Sequence, residues 1–187
     1  GLGRNRKEGL EEGWQKSRRG TPDRKGRKGK NWNQIAGENR PGKEETAALE
    51  EFFGAVLKNP REHQPCGKLE IHGGQVYWEP IDLPSAEGIP FLRRGLYLGE
   101  VKKGRFEPSQ SLAMALPPGE CAALCRLSPE DERVIRYLRG ETVEIGKEES
   151  TRETGWVLVC AGDCALGWGK LVKGLLKHKY HAGWRMK

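Results

Sequence analysis

The sequence predicts a small α+β fold, and three observations carry that prediction. Short alternating apolar runs recur between residues 68 and 170, helical stretches interrupt them, and the first 43 residues show no period at all. Short strands around a few short helices pack as a small mixed barrel or sheet. Hydrophobic residues make up 35% of the 187-residue chain and charged ones 32%, so any core must be concentrated in part of it.

Residues 1–43 hold 13 Lys/Arg against 5 Asp/Glu. Their apolar residues Leu10, Trp14, Trp32 and Ile35 are scattered. Such a segment buries too little surface to offset chain entropy, which predicts a disordered basic linker. It is either a solvated spacer or an arm that contacts phosphates non-specifically. Order is expected from about Lys43. Leu49, Phe52, Phe53, Val56 and Leu57 form a helical stripe, Glu44 and Glu45 suit the helix start, and Pro60 stops it. Lys68–His72 and Gln75–Trp78 alternate about Gly73-Gly74, the pattern of a hairpin. An apolar run from Phe91 to Leu98 leads into Gly99–Pro108, and Ser109 is placed to cap a short helix through Leu116, ended by Pro117-Pro118. Cys121–Leu127 reads as a strand. Ser128 is then the expected N-cap of a helix with Pro129 at its first position and Glu130, Asp131 and Glu132 in its first turn. Val134, Ile135 and Leu138 are its expected buried face, and Gly140 its end. Thr142–Ile145, Gly155–Ala161 and Ala165–Lys170 complete the strands. No internal repeat is present.

Charge is distributed unevenly. Residues 1–43 carry a net +8, residues 44–150 a net −6 and residues 151–187 a net +5. Basic ends around an acidic middle point to polyanion contact at the ends. The acidic middle is either a solvated face or a docking face for another domain. No apolar run approaches the roughly 20 residues of a membrane span, and nothing resembles a signal peptide, so no membrane partner is expected. Five cysteines without a secretory signal suggest a reduced, cytoplasmic setting. Cys121-x3-Cys125 and Cys160-x3-Cys164, with His178 and His181, imitate halves of a zinc site. Three of those cysteines fall in apolar strand-like runs, however, so buried thiols are expected and no metal ligand is assigned. The chain opens on Gly1, which fits either a removed initiator or a piece of a longer protein.

The stretch from Gly167 to Arg185 interleaves aromatic and basic residues. Bases stack on aromatics while Lys and Arg neutralise phosphates, so this composition predicts an RNA-binding surface. Lys170, Lys173, Lys177, Lys179 and Arg185 are the candidate phosphate contacts. Trp168, Tyr180 and Trp184 are candidates for stacking or for shaping the surface. Arg93, Arg94, Lys102, Lys103 and Arg105 form a second basic group that would extend the same face.

Several motifs in order carry a family resemblance: Arg94–Gly99 followed by Lys102–Ser109, Tyr137–Glu141, Gly155–Val159, Leu166–Lys170, Lys177–Tyr180 and Gly183–Arg185. Over roughly residues 44–187 the chain resembles the C-terminal part of Fmu/Sun-type ribosomal-RNA cytosine-C5 methyltransferases. The resemblance implies a PUA-like mixed pseudo-barrel near residues 120–187, preceded by a small family-specific α+β subdomain near residues 44–116. The partner it implies is structured ribosomal RNA, held for a catalytic domain that methylates cytosine from S-adenosylmethionine through a Pro-Cys motif. His178 and His181 depart from the family's closing motif, which usually has Asn and Pro there. No unit for the methyl donor is visible in this sequence, so no cofactor and no catalysis are expected of the chain by itself. Its lone Pro-Cys pair, Pro65-Cys66, just precedes a hairpin and is not assigned as a nucleophile. A stand-alone ribosome-biogenesis or translation-associated RNA-binding protein is the alternative.

Overall fold

The computed structural model describes residues 41–60, 67–80, 95–180 and 182–187. Nearly all of the predicted basic linker, together with Pro65-Cys66, Arg93, Arg94 and His181, lies outside the described residues.

Helix α1 (Lys43–Val56) begins where the Glu45 carboxylate accepts the Gly42 N–H at 2.7 Å. Glu44 and Glu45 oppose the positive end of the helix dipole. The predicted stripe is its inner face, with Leu49, Phe52 and Val56 buried. At its end the Val56 carbonyl accepts from Ala122 N at 2.7 Å, and Lys58 N donates to the Glu120 carbonyl at 3.0 Å. The helix is thereby fastened to the segment that opens the second half of the chain. Strands β1 (Gly67–His72) and β2 (Gln75–Pro80) form the predicted hairpin about Gly73-Gly74. With β3 (Leu96–Lys102) and β4 (Arg105–Pro108) they make a four-stranded antiparallel meander. Ser109 caps α2 (Gln110–Ala115) as expected: its hydroxyl accepts from Leu112 N at 3.1 Å and donates to the Tyr97 carbonyl at 2.6 Å.

The second sheet contains β5 (Leu124–Leu127), β6 (Val143–Glu144), β7 (Thr154–Ala161), β8 (Cys164–Val172) and β9 (Leu175–His178). Their order is β5-β7-β8-β9-β6, with β5 and β7 parallel and the other pairs antiparallel. Helix α3 (Glu132–Arg139) follows β5 and buries Val134 and Tyr137. The Tyr137 hydroxyl donates to the Trp168 carbonyl at 2.9 Å, holding helix to sheet. A curled mixed sheet with few helices is the α+β, PUA-like fold that the sequence led us to expect.

Three local expectations are corrected. The N-cap of α3 is Asp131, not Ser128. The Ser128 carbonyl closes a turn onto Asp131 N at 3.0 Å and its hydroxyl donates to Glu130, so the helix starts one turn later. Ile135 is 40% exposed, because at 100° per residue it falls well off the stripe that Val134, Tyr137 and Leu138 define. The strand predicted over Cys121–Leu127 begins at Leu124, since Cys121 is taken up in an isolated bridge to Leu57 beyond the end of α1.

One hydrophobic core runs through both sheets. Phe52 joins them: its ring lies 4.9 Å from Phe106 of β4, 5.4 Å from Trp168 of β8 and 6.4 Å from Trp156 of β7. All three contacts are edge-on, the geometry that ring quadrupoles favour. Phe52→Ala is expected to cost about 3–5 kcal/mol, read as a lowered urea midpoint, because it leaves a cavity between the sheets.

At the start of α3, Arg133 pairs with Asp131 at 2.6 Å and with Glu149. Its hydrogen bonds hold both carboxyl groups below their ordinary range. A lowered native pKa stabilises the fold above the unfolded carboxylate value of about 4, and that stability drains away as pH falls through the native values. Arg133→Met should therefore flatten the acid limb of a stability–pH profile while the unsubstituted chain loses stability below about pH 4.

Candidate nucleic-acid interface

Residues directly opposite in an antiparallel ladder share a face, and alternate residues along a strand return to it. The register of β7, β8 and β9 therefore builds successive rows on one face. Leu158 is opposite Trp168, and beyond Trp168 the Lys179 N–H donates to the Trp168 carbonyl at 2.9 Å. The next row is Trp156, Lys170 and Lys177, and the one after it Thr154, Val172 and Leu175. The first row is covered: Trp168 is 1% exposed beneath Phe52, and its indole N–H donates to the Ser109 carbonyl at 2.9 Å. From the second row the face emerges into solvent. Lys170 and Lys177 are exposed, Trp156 is half-buried, and Val172 and Leu175 are 39% and 41% exposed.

This face is electropositive because β7, β8 and β9 contain no Asp or Glu. Among the described residues no carboxylate lies within ion-pair distance of Lys170, Lys173 or Lys177. Lys179 stands at the border of the covered region, its ammonium 5.8 Å from the centroid of the Trp156 ring and 4.0 Å from the Glu107 carboxylate.

Lys173 occupies the β8–β9 turn with φ 51°, followed by Gly174 at 78°. Lys103 occupies the β3–β4 turn in the same way, with φ 50° before Gly104 at 70°. These are the only non-glycine residues with positive φ among the described residues. Such hairpin turns favour Asn-Gly or Gly-Gly, so a lysine in the first position is conformationally unfavourable and puts a cation at the tip.

The structure sorts the predicted residues into different places. Lys170, Lys177 and Lys179 come together with Trp156, and Lys173 closes the same hairpin. Lys102 and Arg105 are cross-strand partners, but Glu100 and Glu107 are the neighbouring pair on that face, and Lys102 is bound to Glu100 at 2.7 Å. This second basic group thus adjoins the first through the Glu107–Lys179 contact, with its charge locally balanced. Arg185 belongs elsewhere. A Cβ on Gly140 would stand 2.8 Å from its Cδ and 3.1 Å from the His178 ring, which places Arg185 at the C-terminal end of α3. His178 and Lys177, consecutive in β9, point to opposite faces. There the guanidinium complements the helix dipole. Burial, then Arg185 and Lys179, pushes the His178 imidazole below its ordinary pKa.

The aromatic assignments change accordingly. Trp168 is excluded from stacking by its burial and shapes the surface from below. Tyr180 is half-buried with its ring 5.7 Å from that of Tyr137. Trp184 is 56% exposed in a terminal turn. Trp156, which sequence reasoning placed only within a strand motif, is the aromatic among the lysines. Its signal was the alternation of Gly155–Ala161, but only the cross-strand register shows which cations flank it.

Residues 51–116 match the RsmF rRNA methyltransferase first C-terminal domain, and residues 126–186 match the methyltransferase RsmF PUA domain. The chain carries the C-terminal domain pair of the Fmu/Sun-type rRNA methyltransferases. Within that pair, the lysine rows lie on the RsmF-type PUA domain, while Phe52, Phe106 and Glu107 come from the first C-terminal domain.

Three of the four described thiols are buried. Cys121, Cys125 and Cys160 are buried, and desolvation is the main cause that raises them to about 11, 12 and 11. Cys164 is exposed. Among the described residues no group of three or more His, Cys, Asp or Glu side chains is placed to hold a metal ion, and no helix is long and apolar enough to cross a membrane. Maleimide labelling of the native chain at pH 8 should modify Cys164 while Cys121, Cys125 and Cys160 react only after denaturation, as peptide mass spectrometry would show.

Proposed function

We propose that this chain holds structured ribosomal RNA through the lysine-bearing face of β7–β9 and positions it for cytosine-C5 methylation. The reaction itself would be carried out by a separate, S-adenosylmethionine-dependent catalytic domain. The observation that supports this reading best is the row of Lys170 and Lys177 on three strands without a carboxylate. Clustered ammonium groups with no intramolecular counter-charge attract a polyanion, and binding releases its condensed counterions. The two lysines at strained hairpin tips point the same way. A turn that prefers Asn or Gly tolerates Lys where the charge has a use.

Contacts of this kind position RNA without reading its sequence. Discrimination of one ribosomal site would then come from RNA shape and from any unpaired bases the face engages.

Fluorescence anisotropy with labelled ribosomal-RNA fragments, titrated across a range of salt, tests the proposal. Lys170→Ala combined with Lys173→Asn should weaken binding and reduce the slope of log K against log salt by about one to two units. Lys173→Asn alone should leave thermal stability unchanged or raised, since Asn suits the turn, so that loss of binding is separable from loss of fold. An unchanged slope would show that these lysines do not touch phosphate.

A further inference from the structure

The same face carries an aromatic surface that phosphate neutralisation does not require. Trp156 lies in one row with Lys170 and Lys177, and the next row adds Val172 and Leu175, both substantially exposed. The Phe52 ring packs edge-on with the indole at 6.4 Å, so its orientation is constrained before any ligand arrives. On the ring stands the Lys179 ammonium, 5.8 Å from the centroid, at the end of a side chain that is itself exposed. Its second partner, Glu107, lies 4.0 Å away, at the outer limit of an ion pair. Lys179 is therefore lightly held by two neighbours on the surface, and exposed pairs of this kind contribute little stability.

Building on the RNA-binding reading above, we propose that Trp156 is a stacking platform for one unpaired nucleotide. The base lies against the indole, Lys170 and Lys177 take the phosphates on either side of it, and the Lys179 side chain moves from the ring toward the backbone of the RNA. Val172 and Leu175 continue the apolar floor under the adjoining sugar. An unpaired base is the occupant that fits, because only a base released from its stack offers a face to an aromatic ring. The concentration of ammonium groups on strands without a carboxylate excludes an acid-poor protein partner on grounds of charge complementarity. The site thus selects a loop, bulge or single-stranded end over uninterrupted duplex.

The test uses the full chain and two RNA hairpins, one with an intact loop and one carrying an abasic residue at a single loop position, with each loop position tried in turn. Phosphate count is the same in both. At one position the abasic hairpin should bind roughly tenfold more weakly, in line with the usual loss of one base–aromatic stack. Trp156→Leu should abolish that preference without altering the salt slope, and Trp156→Phe should keep most of it. In 5-fluorotryptophan-labelled protein, the Trp156 signal, assigned through Trp156→Phe, should shift with the intact hairpin and not with the abasic one. That measurement holds even if Trp156→Leu fails to fold.

If both hairpins bind equally at every position, with the normal salt dependence, the stacking platform is ruled out while the RNA-binding face stands. If neither binds in a salt-dependent way, the RNA-binding reading falls, and this proposal with it. A Trp156 signal that shifts with protein concentration in the absence of RNA would assign the face to a second copy of the chain and overturn the proposal.

Discussion

The indole of Trp168 sits where the two sheets meet, and its burial sets the position of nearly everything around it. Phe52 of α1 packs edge-on against its ring, Ser109 at the cap of α2 accepts its N–H, and Tyr137 of α3 donates to its carbonyl. Three helices are thus referred to one residue of β8. A buried polar atom without a partner is costly, so the indole N–H and the main-chain carbonyl fix distance and angle while the rings supply the apolar contact. The covered part of the β7–β9 face ends where this cluster ends.

That boundary shapes the candidate interface. A strand face that passes out from under a helix changes its chemistry along its length, from the buried Leu158 and Trp168, the latter packed against Phe52, to the exposed Lys170 and Lys177. Trp156 stands on the boundary itself, packed against Phe52 and close to the Lys179 ammonium. The first C-terminal domain contributes here without supplying the lysines. It provides the cover that defines where the basic surface starts, and Glu107, which limits how far its charge extends. The second basic group, Lys102 and Arg105, is balanced by Glu100 and Glu107, so charge alone would have overstated it.

The positive-φ lysines set conformational ease against the placement of charge in a similar way. Ten glycines take positive φ among the described residues, and only Lys103 and Lys173 join them. Both stand in hairpin turns where glycine or asparagine would be easier to accommodate. Each turn still forms because its second residue is glycine and because the strands on either side are registered by other contacts.

Much of the fold was determined by sequence alone. Period, caps and turn residues located α1, the Gly73-Gly74 hairpin, the Ser109 cap, the Gly140 stop and strands β6, β7 and β8, because each of these depends on residues within a few positions of one another, whereas β9 was not anticipated as a strand. Where the local reading failed, at the Ser128 cap that gave way to Asp131, the tertiary pairing of Arg133 with Glu149 accompanied the later helix start. The candidate face was legible only as a composition: basic and aromatic residues together near the C-terminus. Which of those aromatics is buried and which is available was decided by cross-strand register and by the helix lying over the sheet. Trp168 and Trp156 are both tryptophans on strands among glycines and valines, and nothing adjacent in sequence distinguishes them. One row of cross-strand register and the position of Phe52 do, since burial is a property of what arrives from distant parts of the chain.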